Sequence, residues 1–181
     1  LQLVMHDAEV MKLADWLDCQ GAMVLTKGDY LLVTSAISGA KNNAWLERTM
    51  TLRITPGPSN TLRHELSLHF VNHAPVASPY IIPYYDDYLR IFIPAGSTWV
   101  ATRGPLGERV FIPRSDGGYA EIGGWFRTVN NVQDVTFTYD VPVSHGGTLI
   151  WQRQSGSSKD PVSVTLSGGM HSEWNFLLEQ D

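Results

Sequence analysis

The sequence predicts an all-β domain, an antiparallel β-sandwich of the immunoglobulin or fibronectin kind with one helix at its N-terminal end; a closed barrel is the alternative. Three observations predict it. Apolar residues recur with a period of two from about residue 29 onward, turn-forming clusters separate the alternating runs, and no strongly helical pattern intervenes between them.

The helix comes first. Asp7 to Gln20 places Val10, Leu13, Ala14 and Leu17 three or four residues apart, with Asp7 as N-cap and Gly21 as the stop. Its apolar stripe requires a partner, either the body of the domain or an upstream region. Residues 1–28 therefore read as a helical segment at the end of such a region, 29–168 as the β-sandwich domain, and 169–181 as a tail or extra strand.

Within the β region, Tyr30 to Ile37 forms the first run. In Thr49 to Thr55, Met50, Leu52 and Ile54 share one face, and Thr49, Thr51, Arg53 and Thr55 the other. Leu62 to Phe70 repeats the pattern, with Leu66, Leu68 and Phe70 opposite Arg63, Glu65, Ser67 and His69. Pro56-Gly57-Pro58-Ser59-Asn60 between them predicts a hairpin. Leu89, Ile91 and Ile93 alternate with Tyr88, Arg90 and Phe92. Val135, Phe137, Tyr139 and Val141 alternate with polar neighbours, and shorter runs lie near Arg109–Ile112, Leu149–Trp151 and Val162–Leu166. That makes seven or eight strands. The tail residues Trp174, Phe176, Leu177 and Leu178 follow Gly168-Gly169 and suit one more strand or a linker.

Composition narrows the function classes. The 181 residues are 43% hydrophobic and 17% charged, which suits one packed domain rather than a disordered chain. The net charge of −5 offers no basic surface for a phosphate backbone, so nucleic acid is not an expected partner. The single cysteine, Cys19, cannot close an intrachain disulfide and reads as a small apolar residue on the helix. No apolar run approaches the ~20 residues that cross a bilayer, so no membrane span is expected in this segment; an export signal would lie outside it.

Several stretches resemble the C-terminal part of a bacterial family, domain of unknown function 4012 (DUF4012). They are Gly28-Asp29-Tyr30-Leu31-Leu32-Val33, Ser38-Gly39-Ala40-Lys41-Asn42-Asn43, and Trp45-Leu46-Glu47-Arg48. Further on, Tyr88-Leu89-Arg90-Ile91-Phe92-Ile93-Pro94-Ala95-Gly96-Ser97 resembles the family's Pro-x-Gly segment. Leu149 to Gly156, followed by Pro161-Val162-Ser163-Val164, resembles its glutamine- and glycine-containing end. Ser38 and Ser155 depart from the pattern, standing where glycine or asparagine, and proline, are expected. The resemblance covers roughly Asp29 to Leu166. It implies a secreted or cell-surface bacterial protein, anchored if at all through a region outside this segment, with envelope or polysaccharide associations and no catalytic residues to carry over.

Candidate chemistry is sparse. His64-Glu65-Leu66-Ser67-Leu68-His69 places two histidines five apart where a zinc-protease helix needs four, and a strand sends them to opposite faces. His73, His145 and His171 are further imidazoles without an assigned place. Ser38-Gly39-Ala40-Lys41 has serine-x-x-lysine spacing without the companion lysine-threonine-glycine motif. Gly156-Ser157-Ser158-Lys159 reads as a polar hairpin tip, and Glu65, Glu108 and Glu121 are carboxylates without special support. No catalytic residue, metal ligand or cofactor is expected.

The most unusual segment is Pro79-Tyr80-Ile81-Ile82-Pro83-Tyr84-Tyr85-Asp86-Asp87-Tyr88. Read as a loop, its Tyr80, Tyr84, Tyr85 and Tyr88 rings could stack on sugar faces while Asp86 and Asp87 accept hydroxyl hydrogens or help hold calcium. The competing reading has the tyrosines cover one end of the sandwich and the aspartates face water. Asp86 and Asp87 diverge if the segment is a strand, so a two-carboxylate glycosidase would need an acid from elsewhere. Of the tryptophans, Trp16 falls on the helix, and Trp45, Trp99, Trp125, Trp151 and Trp174 are spread through the β region. Most serve as core or edge anchors, with one or two available to a binding surface. The expected function is a noncatalytic extracellular interaction or structural module contacting another envelope protein, a copy of itself or a surface polysaccharide. Carbohydrate binding by the Tyr80–Tyr88 loop is the alternative.

Overall fold

The computed structural model describes residues 7–16, 29–37, 45–75, 84–113, 119–129, 132–143, 148–152, 161–167 and 175–179. Among these residues one helix, α1 (Ala8–Trp16), precedes eleven strands: β1 (Asp29–Ile37), β2 (Leu46–Pro56), β3 (Thr61–Asn72), β4 (Tyr84–Pro94), β5 (Thr98–Arg103), β6 (Leu106–Ile112), β7 (Tyr119–Val129), β8 (Val132–Pro142), β9 (Thr148–Gln152), β10 (Val162–Leu166) and β11 (Asn175–Glu179). They form a six-stranded sheet, ordered β11-β9-β1-β4-β7-β6, and a five-stranded sheet, ordered β10-β2-β3-β8-β5.

The all-β expectation holds, and the strand count exceeds it. Both sheets are mixed: β1 with β9, β9 with β11 and β2 with β10 pair in parallel, whereas the remaining ladders are antiparallel. The wholly antiparallel plan expected from strand spacing therefore applies only to the middle of each sheet. Along the chain only β2–β3 and β6–β7 join hydrogen-bonded neighbours; every other connection changes sheet. Strands β9, β10 and β11 each enter from the opposite layer, and β9 and β11 extend one sheet beyond β1 while β10 extends the other beyond β2, all in parallel ladders.

Alternation decides the interior. Strand β3 is inward-facing at every second residue from Leu62 to Asn72, and Leu89, Ile91 and Ile93 of β4 meet the same core from the other sheet. Phe70 of β3 and Phe126 of β7 close the layers together, with ring centroids 4.4 Å apart. Each such side chain contributes about 2 kcal/mol by leaving water. His64 and Asn72 are the polar residues on the inward face of β3; His64 is 1% exposed and 5.2 Å from the Tyr139 ring.

Turn chemistry agrees with the sequence. The β2–β3 connection closes through Gly57 N–H to the Thr61 carbonyl at 2.8 Å, with Ser59 and Asn60 at φ values of 50° and 60°. Between β4 and β5, Ser97 N–H donates to the Pro94 carbonyl at 3.2 Å, and Gly96 takes a φ of 81° that a side chain would strain. At α1, Asp7 Oδ1 accepts from Glu9 N–H at 2.9 Å and Val10 N–H at 3.3 Å, the expected N-cap. Val10 and Leu13 of the stripe are 40% and 52% exposed, and Trp16 is 80% exposed, so these residues have no cover among the described residues. Residues 17–20 of the expected helix lie outside the described residues.

Candidate functional site

Tyr84 to Tyr88 belong to β4, not to a loop, and the pleat sends them to two faces. Tyr80 lies outside the described residues. Tyr85 and Asp87 turn inward; Asp87 is 0% exposed, so the expectation that both aspartates face water fails for it. Its carboxylate accepts from the Tyr85 hydroxyl and from the Tyr88 backbone N–H, the latter at 2.8 Å. Asp86 and Asp87 thus diverge, as strand geometry demands.

Tyr84, Asp86 and Tyr88 remain on the outward face and meet β7, where Trp125 is one of the tryptophans the sequence offers as anchors or binding surface and Arg127 is a residue the sequence reading does not single out. In the β4–β7 register Asp86 stands opposite Arg127, and Tyr88 opposite Trp125. Arg127 Nε and Nη2 donate to the two Asp86 oxygens, a planar two-point pair. Hydrogen bonding to Asp86, followed by its charge, raises the Arg127 pKa above its ordinary value, so the guanidinium stays cationic. That same guanidinium lies 4.6 Å from the Tyr84 ring centroid.

Trp125 is 56% exposed. Its ring meets Tyr88 edge-on, with centroids 5.3 Å apart and an interplanar angle of 80°. Two glycines open the surroundings. A methyl group at Gly123 would stand 2.8 Å from the Leu89 carbonyl oxygen and 3.1 Å from the Tyr88 ring, so glycine is what lets Tyr88 lie flat against β7. Gly107 of β6 sits beside the root of Trp125 and adds no side chain there. Further along, Arg90 lies 5.6 Å over Phe92, and Ile112 is opposite Glu121. The face can stack a ring and satisfy hydroxyl or amide groups in one plane.

The outward face of the five-stranded sheet is chemically different. Ser163 donates to Thr51 at 3.1 Å, and Ser67 and Thr136 share a hydrogen bond of 3.2 Å, making a row of hydroxyls across four strands. Arg63 Nε and Nη2 donate to Asp140 at 2.9 Å each, and His69 Nδ1 lies 2.7 Å from Asp134. These eight side chains engage one another in cross-strand pairs.

Other candidates do not assemble. His64 is buried and His69 faces out, so the two never converge, while His73 lies 3.2 Å from Glu47. Among the described residues no group of three or more His, Cys, Asp or Glu is placed to hold a metal ion. Glu65 stands opposite Arg53 in the β2–β3 register, and Glu108 lies on β6. Ser38, Lys41, His145, His171 and the Gly156–Lys159 segment lie outside the described residues, as do Cys19 and Trp174. Of the tryptophans, Trp99 packs partly buried against the core, whereas Trp45 is exposed.

No protein-family model matches the chain, and no curated protein matches it. Among solved structures, a two-domain M1 zinc metallopeptidase bound to L-tryptophan is similar at 10% identity and TM-score 0.28, covering 54% of this chain and 20% of that one. A Legionella pneumophila protein described as nutrient-binding is 8% identical with TM-score 0.34, covering 64% and 43%. An M1 zinc metallopeptidase from Deinococcus radiodurans gives 10%, 0.25, 54% and 20%. The chain spans less than half the length of each, and likenesses this distant carry no argument about fold or function. No helix among the described residues is long and apolar enough to cross a membrane.

Proposed function

We propose that this chain is a noncatalytic interaction module of a bacterial cell-envelope protein, working outside the cytoplasm, and that the outward face of the six-stranded sheet is its contact surface. The observation that carries this reading is the contrast between the two outward faces. One carries a row of small hydroxyls, the Arg63–Asp140 and His69–Asp134 pairs and an exposed Val132; the other exposes Trp125 beside Tyr88 and a planar Asp86–Arg127 pair. Exposed tryptophan, tyrosine and arginine side chains offer a ligand stacking area together with planar hydrogen-bond donors. The DUF4012 resemblance supports the location.

As a scaffold, we take the two layers for a β-sandwich of the immunoglobulin or fibronectin kind. The shared core supports the layers, while parallel pairing at β9, β10 and β11 departs from those folds' antiparallel plan.

Cosedimentation of the purified chain with a bacterial envelope fraction tests the proposal. The wild type is expected to bind, and Trp125→Ala to weaken binding about tenfold, the loss of one stacked ring, with an unchanged circular dichroism spectrum. Binding indifferent to Trp125→Ala would remove this face from the account.

A further inference from the structure

We propose that the ligand of this face is an uncharged pyranose unit of a polysaccharide, stacked on the Trp125 indole with its hydroxyl groups read by Asp86 and Arg127. The inference rests on the reading of this face as the contact surface and names what it contacts.

Three features converge. Trp125 is 56% exposed, and the electron-rich face of its indole suits the polarised C–H groups on one side of a pyranose ring. Asp86 and Arg127 occupy the next outward positions of the two strands that carry Tyr88 and Trp125, roughly 7 Å along the sheet. One sugar lying on the indole therefore reaches a carboxylate acceptor and guanidinium donors in the same plane. Because each already neutralises the other, hydroxyls can bond to both without stranding a charge.

Charge selects the sugar class. On the described part of this face Arg127 and Arg90 are matched by Asp86 and Glu121, and the chain as a whole carries −5. An acidic polysaccharide would find no cationic excess and a repelling body, whereas an uncharged one meets neither cost. Shape favours sugar over a protein partner. Protein hot spots sit in recesses ringed by residues that exclude water. Here Gly107 leaves the approach to Trp125 bare on the β6 side, and Tyr88 lies flat over Gly123.

Affinity electrophoresis of the whole chain through gels containing dextran, a β-1,3-glucan, a mannan or a galactan, with N-acetylglucosamine oligomers as soluble competitors, tests the inference. Retardation in at least one gel is expected, weakened about tenfold by Trp125→Ala. Trp125→Phe should restore part of it and Arg127→Gln reduce it, each with an unaltered circular dichroism spectrum. No retardation in any gel, or retardation indifferent to both Trp125→Ala and Arg127→Gln, would overturn it. Envelope pretreatment separates this inference from the reading beneath it. Binding that survives protease and is lost after periodate supports a sugar ligand. Binding lost after protease and kept after periodate overturns the sugar while leaving the interaction surface in place. Binding that ignores Trp125 under both treatments overturns both.

Discussion

His64 occupies an inward position of β3 between Leu62 and Leu66, opposite Ile54 of β2 and Tyr139 of β8. Burial disfavours the imidazolium and pushes the pKa down from 6.5 to about 3, with the charge of Asp140 pulling weakly the other way. The folded state therefore holds His64 neutral while the unfolded chain binds a proton below pH 6.5. Its contribution to stability is complete above that pH and declines as pH falls towards about 3, by on the order of 4 kcal/mol. Urea unfolding at pH 7 and at pH 4.5 should show a marked loss in the wild type and a smaller loss in His64→Phe; equal losses would contradict the assignment. The opposite facing of His64 and His69 is legible in the sequence, because five residues is an odd strand spacing. The inward burial of Asp87 is not: a carboxylate at a core position reads as a solvent-facing group until the Tyr85 hydroxyl and Tyr88 N–H are seen to satisfy it.

Elements with side chains on both faces announce themselves. The strands β2, β3, β4 and β8 alternate over most of their length, and their inward apolar residues supply most of the core. Strand β7 does not, since Ala120, Gly123 and Gly124 leave gaps in the pattern. Strand β5 escapes for another reason: its register against β8 shifts between Trp99 and Ala101, which interrupts the period-two rhythm. Helix α1 is legible from its cap and its stripe, and its exposure gives a prediction. Asp7→Ala should weaken the helix by about 1 kcal/mol, seen as faster amide exchange across residues 8–16. The melting temperature of the sheets should stay unchanged, because the described helix residues lend the core nothing. A matching drop in sheet stability would show that the stripe is in fact covered by the sheets.

At the scale of the whole molecule, alternation tells which residues face inward but not which strand lies alongside. The chain changes sheet at nearly every connection, so sequence neighbours are seldom spatial ones. That is why half the candidate site was readable and half was not: Tyr84, Asp86 and Tyr88 stand out as a local cluster, while Arg127, 41 residues beyond Asp86, becomes relevant only through the β4–β7 register. The same folding produces two outward faces of unlike chemistry, one of hydroxyl rows and engaged charges, one with an open indole. Carbene footprinting with and without the bacterial envelope fraction tests that division most directly. Labelling is predicted to fall at Trp125, Tyr84 and Tyr88 and to hold steady at Thr51, Ser163 and Val132. Protection of Thr51, Ser163 and Val132 with Trp125 still fully labelled would contradict the account.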